Sequence, residues 1–249
     1  MAALPYALTG PIGSRASLGL IVLQADEVLE QDFRRLFPAG DVAIHTTRIP
    51  SGADLTPETL AAMEAELPRA ASLLPPSVRF DAIGYACTSG ATVIGAAKVA
   101  ALVGAVTPGP VTDPLSATIA ACARLGITRI GLISPYVEDV SAALRAALQD
   151  AGVAIAAFAS FEERVEARVA RIDPASIHAA TLSIGAEPGV EAVFLSCTNL
   201  RTLDILEGAE RALGKPVLSS NQALAWRMAE MAGIAPPAPV GRLMAATRS

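Results

Sequence analysis

The chain has 249 residues and a formal net charge of −5 at pH 7, from 19 basic and 24 acidic side chains. This acidic balance, without a basic run, argues against a nucleic-acid partner. Every apolar run is interrupted well before the ~20 residues that a bilayer-spanning helix needs, which argues against a membrane partner. Residues 1–17 lack the charged start and apolar middle of a signal peptide. We therefore expect a cytoplasmic protein.

Cysteine and histidine are scarce. Three cysteines are too few for a disulfide framework in a chain of this size, and neither of the two histidines belongs to a cluster with zinc-ligand spacing. We interpret His45 and His178 as surface or structural residues. The chain also lacks a glycine-rich dinucleotide motif and a phosphate-binding Walker loop. The sequence predicts no metal and no organic cofactor.

The first half alternates apolar runs with amphipathic segments, a pattern typical of parallel strands joined by helices. Three of the predicted helices start at a capping residue that is followed by proline. These residues are Thr56, Asp113 and, in the second half, Asp173. In chain order, strands are predicted at residues 18–23, 42–49, 80–86 and 110–112, and helices at residues 27–37, 56–67, 90–103 and 113–125.

The second half repeats this order. Landmarks such as Gly19, Cys87 and Pro110 recur as Gly131, Cys197 and Pro216, at offsets of 106 to 112 residues, which indicates an internal duplication. We therefore predict an α/β protein with two doubly wound parallel-sheet domains. Strands are predicted at residues 127–134, 153–159, 192–196 and 216–218, and helices at residues 139–151, 173–184 and 222–232.

Cys87 and Cys197 each follow an apolar strand at a point where a helix could begin. Backbone N–H groups and the helix dipole at such a point are expected to lower a thiol pKa. Two such thiols on opposite faces of a substrate could remove and deliver protons, or add to a double bond and protonate its neighbour. The alternative interpretation, a small buried apolar side chain, is the one we adopt for Cys122. Donors to a developing enolate oxygen would come from Thr88, Ser89, Thr198 and Asn199.

Two further residues fall at predicted carboxyl ends of strands, where ligands bind in open α/β sheets. These are Asp26 and Tyr136. For Tyr136 a substrate contact and a packed aromatic side chain are equally good interpretations. The charged segment 162–171 is interpreted as a solvated loop or helix face.

Three motifs give the chain a specific resemblance. They are Gly84-Tyr-Ala-Cys-Thr-Ser-Gly90, Ile133-Ser-Pro-Tyr136 and Leu195-Ser-Cys-Thr-Asn-Leu-Arg-Thr-Leu-Asp204. With them the chain resembles the aspartate/glutamate racemase superfamily, in the branch of maleate cis–trans isomerase and arylmalonate decarboxylase. The resemblance implies two flavodoxin-like domains with the active site in the cleft between them. It further implies one domain of residues 1–112 plus 222–249, with a returning C-terminal helix, and another of residues 113–221.

By this resemblance Cys87 would be the nucleophile or first base and Cys197 the proton donor. Thr88, Ser89 and Thr198 would line a carboxylate pocket that Tyr136 reaches by a hydrogen bond. Arylmalonate decarboxylases resemble the chain around Cys197 but characteristically lack the first cysteine. The expected activity is therefore isomerisation or racemisation of a small carboxylic acid. Two alternatives stay open: a decarboxylase that protonates an enediolate from Cys197, and a non-catalytic small-ligand-binding protein.

Two positions depart from the maleate isomerase pattern. Asp26 and Glu166 stand where those enzymes have asparagine, and two carboxylates should repel a dicarboxylate substrate. They should favour a carboxylate that also carries a cationic nitrogen. The segments 20–26 and 197–204 are most similar to the ectoine-utilisation protein A subgroup, and ectoine is such a compound. The alternative is that Asp26 only caps the following helix. Symmetric self-association through an exposed helix face is compatible with this fold.

Overall fold

Two four-stranded parallel sheets form the framework of the protein. The computed structural model describes residues 3–52, 56–235 and 238–246, and within them the sheets have the strand orders β2-β1-β3-β4 and β6-β5-β7-β8. The strands of the first sheet are β1 (Ala16–Leu23), β2 (Val42–Ile49), β3 (Ala82–Ala86) and β4 (Val111–Thr112). Those of the second are β5 (Arg129–Tyr136), β6 (Ala154–Glu163), β7 (Ala192–Leu195) and β8 (Val217–Ser219).

The two sheets are copies of one topology, which confirms the predicted duplication and α/β fold. Leu20 at the centre of β1 lies between Thr46 and Gly84, and Leu132 in β5 lies between Phe158 and Phe194. The order is that of a flavodoxin-like sheet without its fifth strand. All eight residues of β1 are buried, as expected for a parallel strand covered by helices on both faces.

Helices connect the strands and cover the sheets. Capping follows the sequence prediction, since Thr56, Asp113 and Asp173 each accept a backbone N–H bond at a helix start with proline in the first turn. The helices are α1 (Leu29–Leu36), α2 (Pro57–Ser72), α3 (Thr88–Ile94), α4 (Ala96–Gly104), α5 (Pro114–Leu125), α6 (Glu138–Asp150), α7 (Glu166–Val169), α8 (Pro174–Gly185), α9 (Leu203–Leu213), α10 (Ser220–Met231) and α11 (Gly241–Ala245).

Three features differ from the sequence prediction. The single helix predicted at residues 90–103 is two helices, because Gly95 has a φ of +93°, which is outside helical geometry. Helices α7, α9 and α11 were not predicted. The segment 162–171 is only partly solvated, since Glu166 is buried while Glu162 and Arg168 are exposed.

The predicted division into residues 1–112 plus 222–249 and residues 113–221 remains a prediction. Helix α10 packs on β3 of the first sheet, as a returning helix should. It also packs on α5, which in turn contacts α3 and β3, although the prediction assigns α5 to the second domain. Helix α11 packs on α9 and β8. No helix among the described residues has the length and apolar character needed to cross a membrane.

Close packing between β5 and α8 generates a stability prediction. A Cβ atom at Gly131 would lie 2.4 Å from Cγ2 of Ile184 and 3.3 Å from Cγ1 of Val190. Gly131→Ala should therefore lower the free energy of unfolding by about 1–3 kcal/mol, measured by urea denaturation. Gly104→Ala at the end of α4 is the control, because a Cβ there meets no atom within 4 Å. Equal stability of the two variants would contradict the packing described.

Candidate active site

Cys87 occupies the turn from β3 into α3. Its extended backbone ends the strand, and its Sγ accepts a hydrogen bond from the N–H of Gly90 at 3.1 Å, which caps the helix. The hydroxyl of Tyr85 also lies beside Gly90, close to the Cys87 sulfur. A Cβ at Gly90 would lie 2.4 Å from the Tyr85 oxygen and 3.0 Å from the Cys87 sulfur. The glycine therefore leaves room for the thiol and the phenol together.

Cys197 follows β7 in a loop rather than at a helix start. The expectation that a helix begins at once is wrong here, because α9 starts only at Leu203. The Cys197 Sγ accepts the N–H of Asn199 at 3.2 Å and lies 2.8 Å from the hydroxyl of Tyr136. The Cys197 backbone N–H donates to Oγ of Ser220 at 3.0 Å, so α10 holds the loop.

Tyr136 reaches this thiol from the end of β5. The β5–β6 register shifts between Ser134 and Tyr136, at Pro135, which cannot donate to the ladder. The strand thus ends two residues beyond its predicted end, and Tyr136 is buried.

The buried side-chain amide of Asn199 joins three segments of the site. Nδ2 of Asn199 donates to Oε1 of Glu166 at 2.9 Å, and Oδ1 of Asn199 accepts the N–H of Glu27 at 2.9 Å. Oε2 of Glu166 accepts the Tyr136 hydroxyl at 3.1 Å. The loop after β1, the helix α7 and the loop after β7 are therefore linked through one side chain.

Asp26 lies beside the Glu27 backbone that Asn199 holds. Its Oδ1 accepts the N–H groups of Val28 and Leu29 at 2.8 and 2.9 Å, so it does cap the start of α1. Its Oδ2 makes no hydrogen bond within the described part of the chain, although the nearby Thr198 hydroxyl helps to hold down its pKa. Burial has the larger effect and raises the pKa of this carboxyl.

Direct bonds connect the loops of the two sheets. The Thr198 hydroxyl donates to the carbonyl of Ala86 at 3.4 Å, next to Cys87, and Oγ1 of Thr88 lies 2.9 Å from Oγ of Ser220. Ser89 is buried in the first turn of α3. The structure thus places the nine predicted residues in one continuous region: Asp26, Cys87, Thr88, Ser89, Tyr136, Glu166, Cys197, Thr198 and Asn199.

Three residues of this region were missed. Ser220 ties Cys197 to Thr88, and Nδ2 of Asn221 donates at 2.8 Å both to Asp32 and to the carbonyl of Thr198. The third is Tyr85. Ser220 and Asn221 follow β8, so the rule that ligand sites lie at the carboxyl ends of strands would have found them. Tyr85 lies within the Gly84–Gly90 motif, but no further feature of the sequence distinguishes it from an ordinary strand residue.

Burial controls the ionisation of the thiols, and it corrects the expected direction. The loss of water raises the pKa of Cys87 to about 12, and it raises the pKa of Cys197 well above its ordinary value. The bonds from Gly90 and Asn199 act in the opposite direction but are outweighed. Glu166 and Asp26 raise the pKa of both thiols further. Both cysteines are therefore protonated at neutral pH.

The same two carboxyl groups therefore act electrostatically on both cysteines. Burial raises the pKa of Glu166 itself to about 7, against the opposing bonds from Asn199 and Tyr136. Glu166 consequently changes its charge close to neutral pH.

Comparison with known proteins identifies the family. The family model described as arylmalonate decarboxylase (Amdase) matches residues 96–244. The chain is also 30% identical over 225 residues to the arylmalonate decarboxylase of Bordetella bronchiseptica, which covers 88% of this chain and 92% of that protein. The chain therefore belongs to the arylmalonate decarboxylase family. This confirms the resemblance to that branch and the placement among enzymes of the aspartate/glutamate racemase superfamily.

Maleate isomerases are also similar. That of Nocardia farcinica is 26% identical over 220 residues, covering 84% of this chain and 87% of that protein. The structure of a cysteine-to-serine variant of that enzyme contains a covalently bound succinylcysteine intermediate. It superposes on this chain with a TM-score of 0.86 at 24% identity, over 94% of this chain and 99% of that chain. A liganded double variant of arylmalonate decarboxylase gives a TM-score of 0.83 at 27% identity, over 92% and 98%. The two-domain fold is common to all of them.

The raised pKa of Glu166 predicts how stability depends on pH. Because the folded state binds this proton up to about pH 7 and an unfolded chain only to about 4.5, its contribution to stability falls as pH rises through that window. Between pH 5 and 8 the wild type should lose about 2–3 kcal/mol more unfolding free energy than Glu166→Gln. Urea denaturation at both pH values measures this. Glu187→Gln, at an exposed position, is the control. The prediction would be contradicted if the unfolding free energies of the wild type and of Glu166→Gln changed equally between the two pH values.

Proposed function

We propose that this protein is a cofactor-independent isomerase or racemase of a small carboxylic acid, with Cys87 and Cys197 acting from two sides of the substrate. The observation that carries the proposal is the pair of buried thiols at corresponding positions of the duplicated sheets. Each thiol follows the central β3 or β7 strand, accepts a backbone N–H bond and is influenced by the same Glu166 and Asp26.

Each thiol has a role in both versions of the reaction. Both versions begin when the Cys87 thiol, which is protonated at rest, loses its proton to solvent and becomes a thiolate. In cis–trans isomerisation this thiolate bonds to one alkene carbon while the Cys197 thiol gives its proton to the other carbon. The new single bond rotates, the Cys197 thiolate takes the proton back, and the carbon–sulfur bond breaks to release the Cys87 thiolate. In racemisation the Cys87 thiolate removes the proton from the α-carbon and the Cys197 thiol delivers one to the opposite face. The covalent succinylcysteine of the N. farcinica maleate isomerase variant supports cysteine as the nucleophile.

Polar groups around the thiols suit the negative oxygen that both reactions develop. The hydroxyls of Thr88 and Thr198, with Ser89 beside them, are buried at the junction of the two sheets. Donors held in place before the reaction stabilise an enolate better than mobile water does. We assign these three residues, and Tyr136, to the carboxylate and enolate pocket.

A second candidate is a cofactor-free decarboxylase. The family match and the 30% identity to the B. bronchiseptica arylmalonate decarboxylase favour it. In this reaction a malonate loses carbon dioxide and Cys197 protonates the resulting enediolate. Cys87 would have no necessary role, which is why we place the isomerase first.

We further propose that the substrate carries a cationic nitrogen beside its carboxylate, as a cyclic amidinium carboxylate of the ectoine type does. Asp26 and Glu166 are both buried, and each of them raises the pKa of both cysteine thiols. Two negative groups would repel a dicarboxylate. Oδ2 of Asp26 lacks a hydrogen bond among the described residues, so it is the better direct contact for a cation, whereas both oxygens of Glu166 already accept bonds.

Deuterium exchange tests the reaction. In deuterium oxide, wild-type protein should incorporate deuterium into, or isomerise, one compound of a panel of maleate, aspartate, phenylmalonate, ectoine and N-acetyl-diaminobutyrate. Cys87→Ala and Cys197→Ala should each lose at least a hundredfold in rate, since each removes a proton-transfer group. Proton NMR follows the panel.

Cys122→Ala is the matched control, because it removes a buried thiol from α5 without touching the site. Carbon dioxide loss from phenylmalonate that survives Cys87→Ala would instead establish the decarboxylase. If neither the wild type nor any variant converts a compound of the panel, the result would point to a non-catalytic small-ligand-binding protein.

Asp26→Asn tests the substrate class. Asparagine keeps the Oδ1 acceptor for the N–H groups of Val28 and Leu29 but removes the charge. KM for a substrate with a cationic nitrogen should rise about tenfold or more, while discrimination against maleate should weaken, because a charged hydrogen bond is worth about 1.5–3 kcal/mol. Asp173→Asn, which alters the cap of α8, is the control. Unchanged KM values would mean that Asp26 only caps α1.

A further inference from the structure

A continuous line of hydrogen bonds leads from the second cysteine to a carboxyl group. The Cys197 sulfur lies 2.8 Å from the Tyr136 hydroxyl, and that hydroxyl donates to Oε2 of Glu166 at 3.1 Å. All three side chains are buried. A hydroxyl group that bonds to a thiol on one side and a carboxylate on the other can accept one proton while giving up its own.

Glu166 is held in place for this contact. Its other oxygen accepts Nδ2 of Asn199 at 2.9 Å. No lysine or arginine among the described residues forms an ion pair with it, whereas Glu163 at the end of β6 pairs with Arg168 on the exposed side of α7. The ionisable groups that face Glu166 are Tyr136, Asp26 and the two thiols. A proton is therefore the readiest partner for its charge.

Proton transfer along this line of hydrogen bonds would keep the number of buried charges constant. Losing the Cys197 proton to water would place a second negative charge beside ionised Glu166, and this repulsion is one reason why the thiol pKa is raised. Transfer to Glu166 instead moves the existing charge from carboxylate to sulfur. The number of buried charges stays the same, and the attraction of the site for a cationic substrate group is kept.

We propose that Cys197 and Glu166 exchange one proton through the hydroxyl of Tyr136, so that Glu166 holds the proton when Cys197 acts as a thiolate and Cys197 holds it when the thiol donates to the substrate. The S–H bond of Cys197 breaks and its proton moves to the Tyr136 oxygen, while the phenolic proton of Tyr136 moves to Oε2 of Glu166. The products are a thiolate and a neutral carboxylic acid, and the reverse transfer restores the thiol. Glu166 acts through Tyr136 and needs no contact with the substrate. This inference rests on the proposed role of Cys197, but its test does not require turnover.

The test is the rate of iodoacetamide modification of Cys197 from pH 5.5 to 9.5, measured by peptide mass spectrometry on the intact folded protein. An isolated thiol gives a rate that rises about tenfold per pH unit until its own pKa. For a thiol that shares a proton with Glu166, the modification rate rises with pH until Glu166 has lost its proton near pH 7, and the rate then levels off. We expect this plateau for wild-type Cys197.

Glu166→Gln should replace the plateau by a continuous rise of about tenfold per pH unit, because glutamine cannot take the proton. Tyr136→Phe should lower the Cys197 modification rate at pH 7 at least tenfold. Tyr85→Phe is the matched control, since Tyr85 lies beside Cys87 and should leave the Cys197 profile unchanged. A purely structural role of Glu166 would alter stability without removing the plateau.

A wild-type rate that rises without a plateau through pH 7, or a plateau that survives Glu166→Gln, would overturn the proposal. A Cys197 that stays unmodified over the whole range would also overturn it, because the site must admit a molecule of this size. If the plateau behaves as expected but the substrate panel shows no turnover, the proton exchange stands and the proposed isomerase activity fails.

Discussion

The side-chain amide of Asn199 is the contact on which the rest of the site depends. It accepts the Glu27 N–H beside Asp26 and donates to Glu166, while its own backbone N–H bonds to the sulfur of Cys197. Asn199, Glu166 and Cys197 are buried and the Glu27 bond is partly buried, so leaving a buried one of these groups unpaired would cost about 1–3 kcal/mol. Ser220 performs the corresponding task for Cys197 and Thr88. Satisfying buried polar groups and aligning the site are therefore achieved by the same bonds.

The site has a surplus of groups that resist being charged. Asp26, Asp32 and Glu166 all have raised pKa values because of burial, and burial raises the pKa of both thiols as well. A low-dielectric region can hold one charge more cheaply than two, which couples the ionisation of these groups. Reactivity must then come from moving a proton within the region, or from the charge that a substrate brings, rather than from a thiolate present at rest.

Duplication produced two similar half-sites that are no longer equivalent. Cys87 stands at the start of a helix with Tyr85 beside it, whereas Cys197 stands in a loop with Tyr136, Asn199 and Glu166. Ser89 occupies the position that corresponds to Asn199, but its side chain makes no comparable long-range bond within the described part of the chain. Among the described residues, only the second thiol is joined to a carboxyl group by a line of hydrogen bonds. This difference fits a division of labour between a nucleophile and a proton donor.

Periodic apolar runs, proline-containing helix caps and the repeated landmarks were sufficient to predict the doubly wound fold, its duplication and most element positions, because these are local signals or depend on sequence spacing. The carboxyl ends of strands identified Cys87, Cys197, Asp26 and Tyr136 for the same reason. The burial of Glu166 and the placement of Tyr85 and Ser220 in the site depend on residues distant in sequence. The thiol pKa values show this most clearly. Local geometry alone indicates a lowered value, but the solvent exclusion and the two carboxyl groups that raise it arise only when both halves pack together.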